Sequence, residues 1–170
     1  MLLRLGLRIV PLLLLVGLSV GARAAEGGSV GRVTNVANQA QIGSAVAAIG
    51  TPVQMNDVLL TGAKARLEVT FHDNTKLALG ENARVVVDRY VYNPAEGRGE
   101  VALSATRGAF RFAGGKLKDL RRKKITVNTP SAALAVRGTE FWAGPIDGRY
   151  GVLLLRGNLR VSGRTGASKR

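Results

Sequence analysis

Few side chains in this 170-residue chain have the types and spacing that catalysis needs. His72 is the only histidine and there is no cysteine, so any metal site would rest on carboxylates around a residue that reads as the flank of a turn. Among the 11 Asp and Glu residues, the candidates for a catalytic carboxylate pair are Asp57, Glu68, Asp73, Asp88, Glu96, Glu100 and Glu140. Nothing in their spacing pairs them, and Glu68 and Asp88 fall on strand positions expected to face solvent. No phosphate-cradling glycine loop of either common type is present. We therefore expect no enzyme activity, no metal and no cofactor.

Positive charge is the stronger signal. The chain carries 25 Lys and Arg against 11 Asp and Glu, a net charge of +14. Much of the surplus lies in Lys116, Lys118, Arg121, Arg122, Lys123 and Lys124, opposed locally only by Asp119. Such a run is either a solvated loop or a docking site for anionic lipid headgroups, lipopolysaccharide, acidic wall polymers or an acidic protein face. Arg137 and Glu140 straddle Gly138. A bulge there would bring them together as an ion pair worth about 0–1 kcal/mol at a surface. Alternatively, Arg137 offers its guanidinium fork to a carboxylate-bearing ligand or partner.

The elements that must position these residues are strands. Ile125 and Val127 alternate with Thr126 and Asn128; Thr129-Pro130 then interrupts the pairing, because proline has no amide hydrogen to donate. Ala132, Leu134 and Val136 resume one face and Ala133, Ala135 and Arg137 the other. Val136 and Phe141 both read as inward, yet they are five positions apart, so one extra residue must be absorbed between them. Gly138 suits that bulge, followed by Thr139 and Phe141, whereas Gly144 beside Pro145 is expected beyond the strand.

Elsewhere, alternation places strands near residues 31–36, 39–46, 58–61, 66–71, 76–79, 84–90, 100–105, 109–112, 125–128, 132–137, 140–143, 150–155 and 158–161. Asp73-Asn74 and Gly157-Asn158 fit two-residue turns, and Tyr92–Gly99 reads as a longer mobile connection. Phe110, Phe112, Phe141 and Trp142 read as packing aromatics. With 22 glycines and no capped amphipathic helix, the fold class is all-β: many short antiparallel strands in a sandwich, a barrel or a coil-like stack, which the sequence leaves open.

Several of these elements, in this order, resemble the FecR-type domain of bacterial envelope proteins. They are Asp57-Val-Leu-Leu-Thr-Gly62, the strand Ala65–Phe71, His72-Asp73-Asn74-Thr75-Lys76-Leu77, Arg107-Gly108-Ala109-Phe110, Thr129-Pro130, Ala135–Phe141 and Leu155–Val161. Asn74 stands where glycine is usual and Arg156 where glutamate is usual. The resemblance spans about residues 30–163. It implies a sensor-like module of a signalling regulator, acting by protein or envelope recognition.

The N-terminus has the three-part layout of a secretory signal peptide: Arg4 and Arg8, an apolar run from Ile9 to Val20, and Ala22-Arg23-Ala24. The apolar run is shorter than the ~20 residues a bilayer needs, so we expect cleavage after Ala24 and a mature chain, residues 25–170, of one domain without a transmembrane segment. Loss of Arg4, Arg8 and Arg23 lowers the formal charge by three, to +11. The expected location is periplasmic or secreted, where nucleic acid is not a partner. The expected partner is another envelope protein; the alternative is an electrostatic binder of anionic envelope polymers or lipid headgroups.

Overall fold

A computed structural model describes residues 28–163, so the proposed signal peptide lies outside the described residues. The alternating segments become β1 (Gly31–Ala37), β2 (Ala40–Ile42), β3 (Ala45–Val46), β4 (Pro52–Val53), β5 (Val58–Thr61), β6 (Arg66–Phe71), β7 (Lys76–Leu79), β8 (Arg84–Asn93), β9 (Arg98–Arg107) and β10 (Phe110–Ala113). One turn of 3₁₀ helix, Lys116–Asp119, precedes β11 (Arg122–Asn128), β12 (Ala132–Ile146) and β13 (Arg149–Gly163). All thirteen strands belong to one curled sheet, an all-β half-barrel in the order β3-β2-β5-β8-β9-β11-β12-β10-β7-β6-β1-β4, with β13 on the remaining edge of β12. The sheet is mixed, because β11 runs parallel to β9 while every other pairing is antiparallel.

The 15-residue β12 joins the two halves of this sheet. Its first part, Ala133–Ala135, pairs with β11, and its last part, Glu140–Ala143, pairs with β10 on the same side. The change of partner falls at Gly138, which has φ 62°. Between Arg137↔Asn158 and Glu140↔Arg156 the β12 chain advances one residue more than β13; between Glu140↔Arg156 and Phe141↔Leu154 the β13 chain advances one more. Two bulges therefore compensate, and Val136, Thr139 and Phe141 are all buried. Thr139 Oγ1 accepts the Arg137 N–H at 3.1 Å and donates to the Asn158 carbonyl at 2.5 Å, closing the polar gap the bulge opens. At the other end of β11, Pro130 occupies a turn in which Thr129 donates its N–H to the Ala132 carbonyl at 2.8 Å.

Three local expectations are corrected. Gly157-Asn158 is no turn but lies inside β13, with Gly157 so close to Gly138 that a Cβ would sit 2.2 Å from its carbonyl oxygen. Gly144 lies within β12, buried, where a Cβ would sit 2.6 Å from that of Ala109. The Tyr92–Gly99 segment is the closed end of the β8–β9 hairpin, paired out to Asn93↔Arg98 and held by an Asn93 side chain that accepts the Glu96 N–H at 3.1 Å. Inward residues of the long strands other than β13 form one core that includes Phe110, Phe112 and Phe141, with Tyr150, Val152 and Leu159 of β13 partly buried against it; Phe112 stacks on Phe141 at 5.5 Å and Phe110 meets it edge-on at 5.8 Å.

Candidate interaction surface

The basic run does not form one loop. Leu117 and Leu120 pack onto Gly99 of β9, where a Cβ would lie 2.6 Å from Leu117 Cγ, so the 3₁₀ turn is pinned to the sheet with Lys116 and Lys118 exposed at its rim. Arg121 is exposed beside it, and Lys123 turns back to donate to the Leu120 carbonyl at 2.9 Å. Arg122 and Lys124 belong to β11, on the face opposite buried Ile125 and Val127.

Strand register collects further cations on that outward face. The parallel β9–β11 pairing sets Arg122 beside Arg98 and Lys124 beside Glu100, and Glu100 is engaged by Arg89 at 2.8 Å. Lys124 and Arg137 each lie two residues beyond the last β11–β12 pair, Thr126↔Ala135, on the same side of the sheet. Ala135 is in turn opposite Arg160 of β13. Arg98, Arg122, Lys124, Arg137 and Arg160 thus share one exposed face although they span over sixty positions of sequence. Among the described residues the ion pairs are Lys76–Glu68, Arg89–Glu100 and Arg111–Glu140, and none involves these five. The Arg137–Glu140 pairing is corrected accordingly: Glu140 is taken by Arg111 of β10, and Arg137 lines a shallow groove of about 510 Å³ with Leu154, Leu159 and Arg160.

Asp73, read as part of a surface turn, is instead fully buried. Its Oδ1 accepts from the Thr75 N–H at 3.2 Å and the Tyr90 hydroxyl at 3.1 Å; its Oδ2 accepts from Thr75 Oγ1 at 2.7 Å and the Leu117 N–H at 3.1 Å. Its main-chain carbonyl accepts the Lys116 N–H at 2.6 Å. One carboxylate thereby fastens the β6–β7 hairpin to the 3₁₀ turn that carries the basic run. Burial, with the Asp73 charge adding to it, raises the Tyr90 phenol above its ordinary range, so that hydroxyl remains a donor.

Among the described residues the candidate nucleophile, base and acid are not joined by hydrogen bonds. Residues 27–31 read Gly-Gly-Ser-Val-Gly, the spelling of a nucleophile elbow, but Ser29 precedes a strand instead of sitting on a strand-to-helix turn. Ser29 and His72 line one groove, yet no hydrogen bond joins their side chains and the Asp73 carboxylate is spent on Thr75, Tyr90 and Leu117. Among the described residues no group of three or more His, Asp or Glu is placed to hold a metal ion.

The described residues form a curled all-β sheet with a cationic outward face and a buried core. Residues 57–160 match the family described as FecR protein, and the chain belongs to that family. A crystal structure described as a "putative anti-sigma factor", from Parabacteroides distasonis, is similar at a TM-score of 0.47 and 18% identity, over 64% of this chain and 48% of that one. This chain therefore matches about half the length of that protein. No curated protein matches. Among the described residues no helix is long and apolar enough to cross a membrane.

Proposed function

We propose that the protein is an exported, non-enzymatic recognition module of a FecR-type regulatory system, and that it binds another envelope protein through the outward face of β9, β11, β12 and β13. The observation that carries this reading is the register that gathers Arg98, Arg122, Lys124, Arg137 and Arg160, none of which is in an ion pair among the described residues. Five guanidinium and ammonium groups outside any ion pair among the described residues, with Arg122 also donating to the Glu96 carbonyl at 3.2 Å, attract a surface of opposite charge and fix its register. Family membership supports a sensor-like regulatory role, and the N-terminal layout supports export.

A second reading follows from the rim. Lys116, Lys118 and Arg121 surround the 3₁₀ turn, and with Arg122 and Lys124 they suit anionic lipid headgroups, lipopolysaccharide or a wall polymer. Capture from the envelope fraction at low and high salt separates the two, because a desolvated protein interface keeps much of its affinity when the Debye length falls to about 3 Å at 1 M salt, whereas polyanion binding falls steeply. Replacing Arg122 and Lys124 by Gln should weaken partner capture at least tenfold without lowering the melting temperature; retained capture refutes the cationic-face reading. Retention on anionic vesicles that vanishes in the same variant, with no protein captured, would establish the second reading instead. N-terminal sequencing of the exported protein should find a start near Ala25.

A further inference from the structure

Among the described residues β13 forms the free edge of the sheet beside β12, and its 15 residues are far longer than the two-residue β3 and β4 that end the sheet elsewhere. Its side chains divide by face. Tyr150, Val152 and Leu154 stand opposite Pro145, Ala143 and Phe141, and Leu159 and Val161 opposite Val136 and Leu134, so all five are on the core side. Arg149 and Arg156 are seven positions apart, which an unbroken strand would place on opposite faces. The β13 bulge between Arg156 and Leu154 shifts the phase, so that Arg149, Arg156 and Arg160 all lie outward. β13 contains no acidic residue.

This edge is incomplete on both faces. Leu154 and Val161 remain 45% and 56% exposed although they continue the face of fully buried Phe141 and Leu134. Outward, the three arginines extend the cationic face already formed by Arg98, Arg122, Lys124 and Arg137, with Leu153, 55% exposed and opposite Trp142, between Arg149 and Arg156. A long edge strand also presents unpaired amide and carbonyl groups at alternate residues. A second copy is a poor occupant: antiparallel pairing of two β13 strands about a two-fold axis sets three arginines beside three on one face, with no acid on either.

We propose that β13 receives an extended segment of a partner protein by strand addition, and that this segment alternates apolar residues on the core side with acidic residues on the outward side. The proposal rests on the protein-recognition reading above and names what that partner must offer. Main-chain pairing supplies affinity, Leu154 and Val161 receive the apolar side chains, and Arg149, Arg156 and Arg160 select the acidic ones.

The test uses eleven-residue synthetic peptides and fluorescence anisotropy with the purified protein. An alternating Glu/Val peptide should bind at least tenfold more tightly than an alternating Lys/Val peptide. Methylating the amides of one alternate set of residues should abolish binding, while methylating the other set leaves it intact, because only one set faces β13. The double variant Arg149→Glu with Arg156→Glu, at positions opposite Ile146 and Glu140 and outside the five cations of the proposed face, should exchange the preference in favour of Lys/Val. Equal binding of both peptides, or indifference to the phase of methylation, overturns the proposal, as does concentration-dependent self-association that the Glu/Val peptide fails to compete. Envelope capture with the same double variant keeps the two readings apart: a partner still captured in full, with no peptide bound, removes strand addition and leaves the recognition module standing.

Discussion

At the scale of single residues, Asp73 does most to hold the candidate surface in place. A buried carboxylate without a cation costs free energy unless donors surround it, and here four reach its oxygens. Asp73→Asn replaces one oxygen by an NH₂ group that cannot accept from the Leu117 N–H. Leaving that buried amide unpaired costs about 1–3 kcal/mol. We expect a lower denaturation midpoint and faster hydrogen exchange at Leu117 than at Val127, which sits in the β11 strand; unchanged exchange at Leu117 would show that the 3₁₀ turn is held by Leu117 and Leu120 packing alone. Tyr150 gives a second residue-level test. Burial pushes its phenol up to about 12, while it donates to the Gly108 carbonyl at 3.1 Å. Because the raised value belongs to the folded state, this contribution is intact below pH 10 and is lost as pH climbs from 10 towards 12. Alkaline unfolding should therefore steepen in that window, and Tyr150→Phe, less stable at pH 8 by about 0.5–1.5 kcal/mol, should show a shallower decline.

At the scale of elements, β12 and its bulge decide how the two halves of the sheet meet. Gly138 has open space around a Cβ but φ 62°, so Gly138→Val costs backbone strain of about 1–3 kcal/mol. Gly163→Val, at an open position without positive φ, should cost under about 0.5 kcal/mol, and urea midpoints measured at equal slope compare the two. Equal midpoints would mean that the bulge relaxes freely. The bulge is legible in sequence because parity between Val136 and Phe141 demands an extra residue. The strands 58–61, 66–71 and 76–79 are legible because their alternation is unbroken and turn residues bound them. The compensating bulge in β13 is hidden, since Leu153-Leu154-Leu155 has no alternation to lose and Gly157 there looks like a turn. Asp73 is hidden because an Asp-Asn pair carries a turn signal whether the carboxylate points to solvent or inward. Arg98 and Arg160 join the candidate surface only through long-range register, and the parallel β9–β11 pairing that recruits Arg98 has no local signature.

At the scale of the whole molecule, charge acts in opposite directions on folding and on binding. The chain has 25 basic against 11 acidic residues, and the ion pairs among the described residues include only exposed or half-exposed cations, each worth about 0–1 kcal/mol. Repulsion within the cationic face is therefore the larger electrostatic contribution to stability, and it opposes folding. Salt shortens the Debye length from about 30 Å at 0.01 M to about 8 Å at 0.15 M, less than the ~14 Å that four adjacent strands span at ~4.8 Å spacing. Raising salt across this range should screen more repulsion than attraction and raise the melting temperature by a few degrees, of the order expected for about 1 kcal/mol in a domain of this size. The same change should slow association with an acidic partner while leaving much of the affinity of the formed complex. The Arg122→Gln, Lys124→Gln variant removes two of the facing cations, so its melting temperature should respond less to salt than that of the parent. A melting temperature that falls with salt in the parent would instead mean that the three ion pairs outweigh the cationic face, and that the face is neutralised within the folded chain.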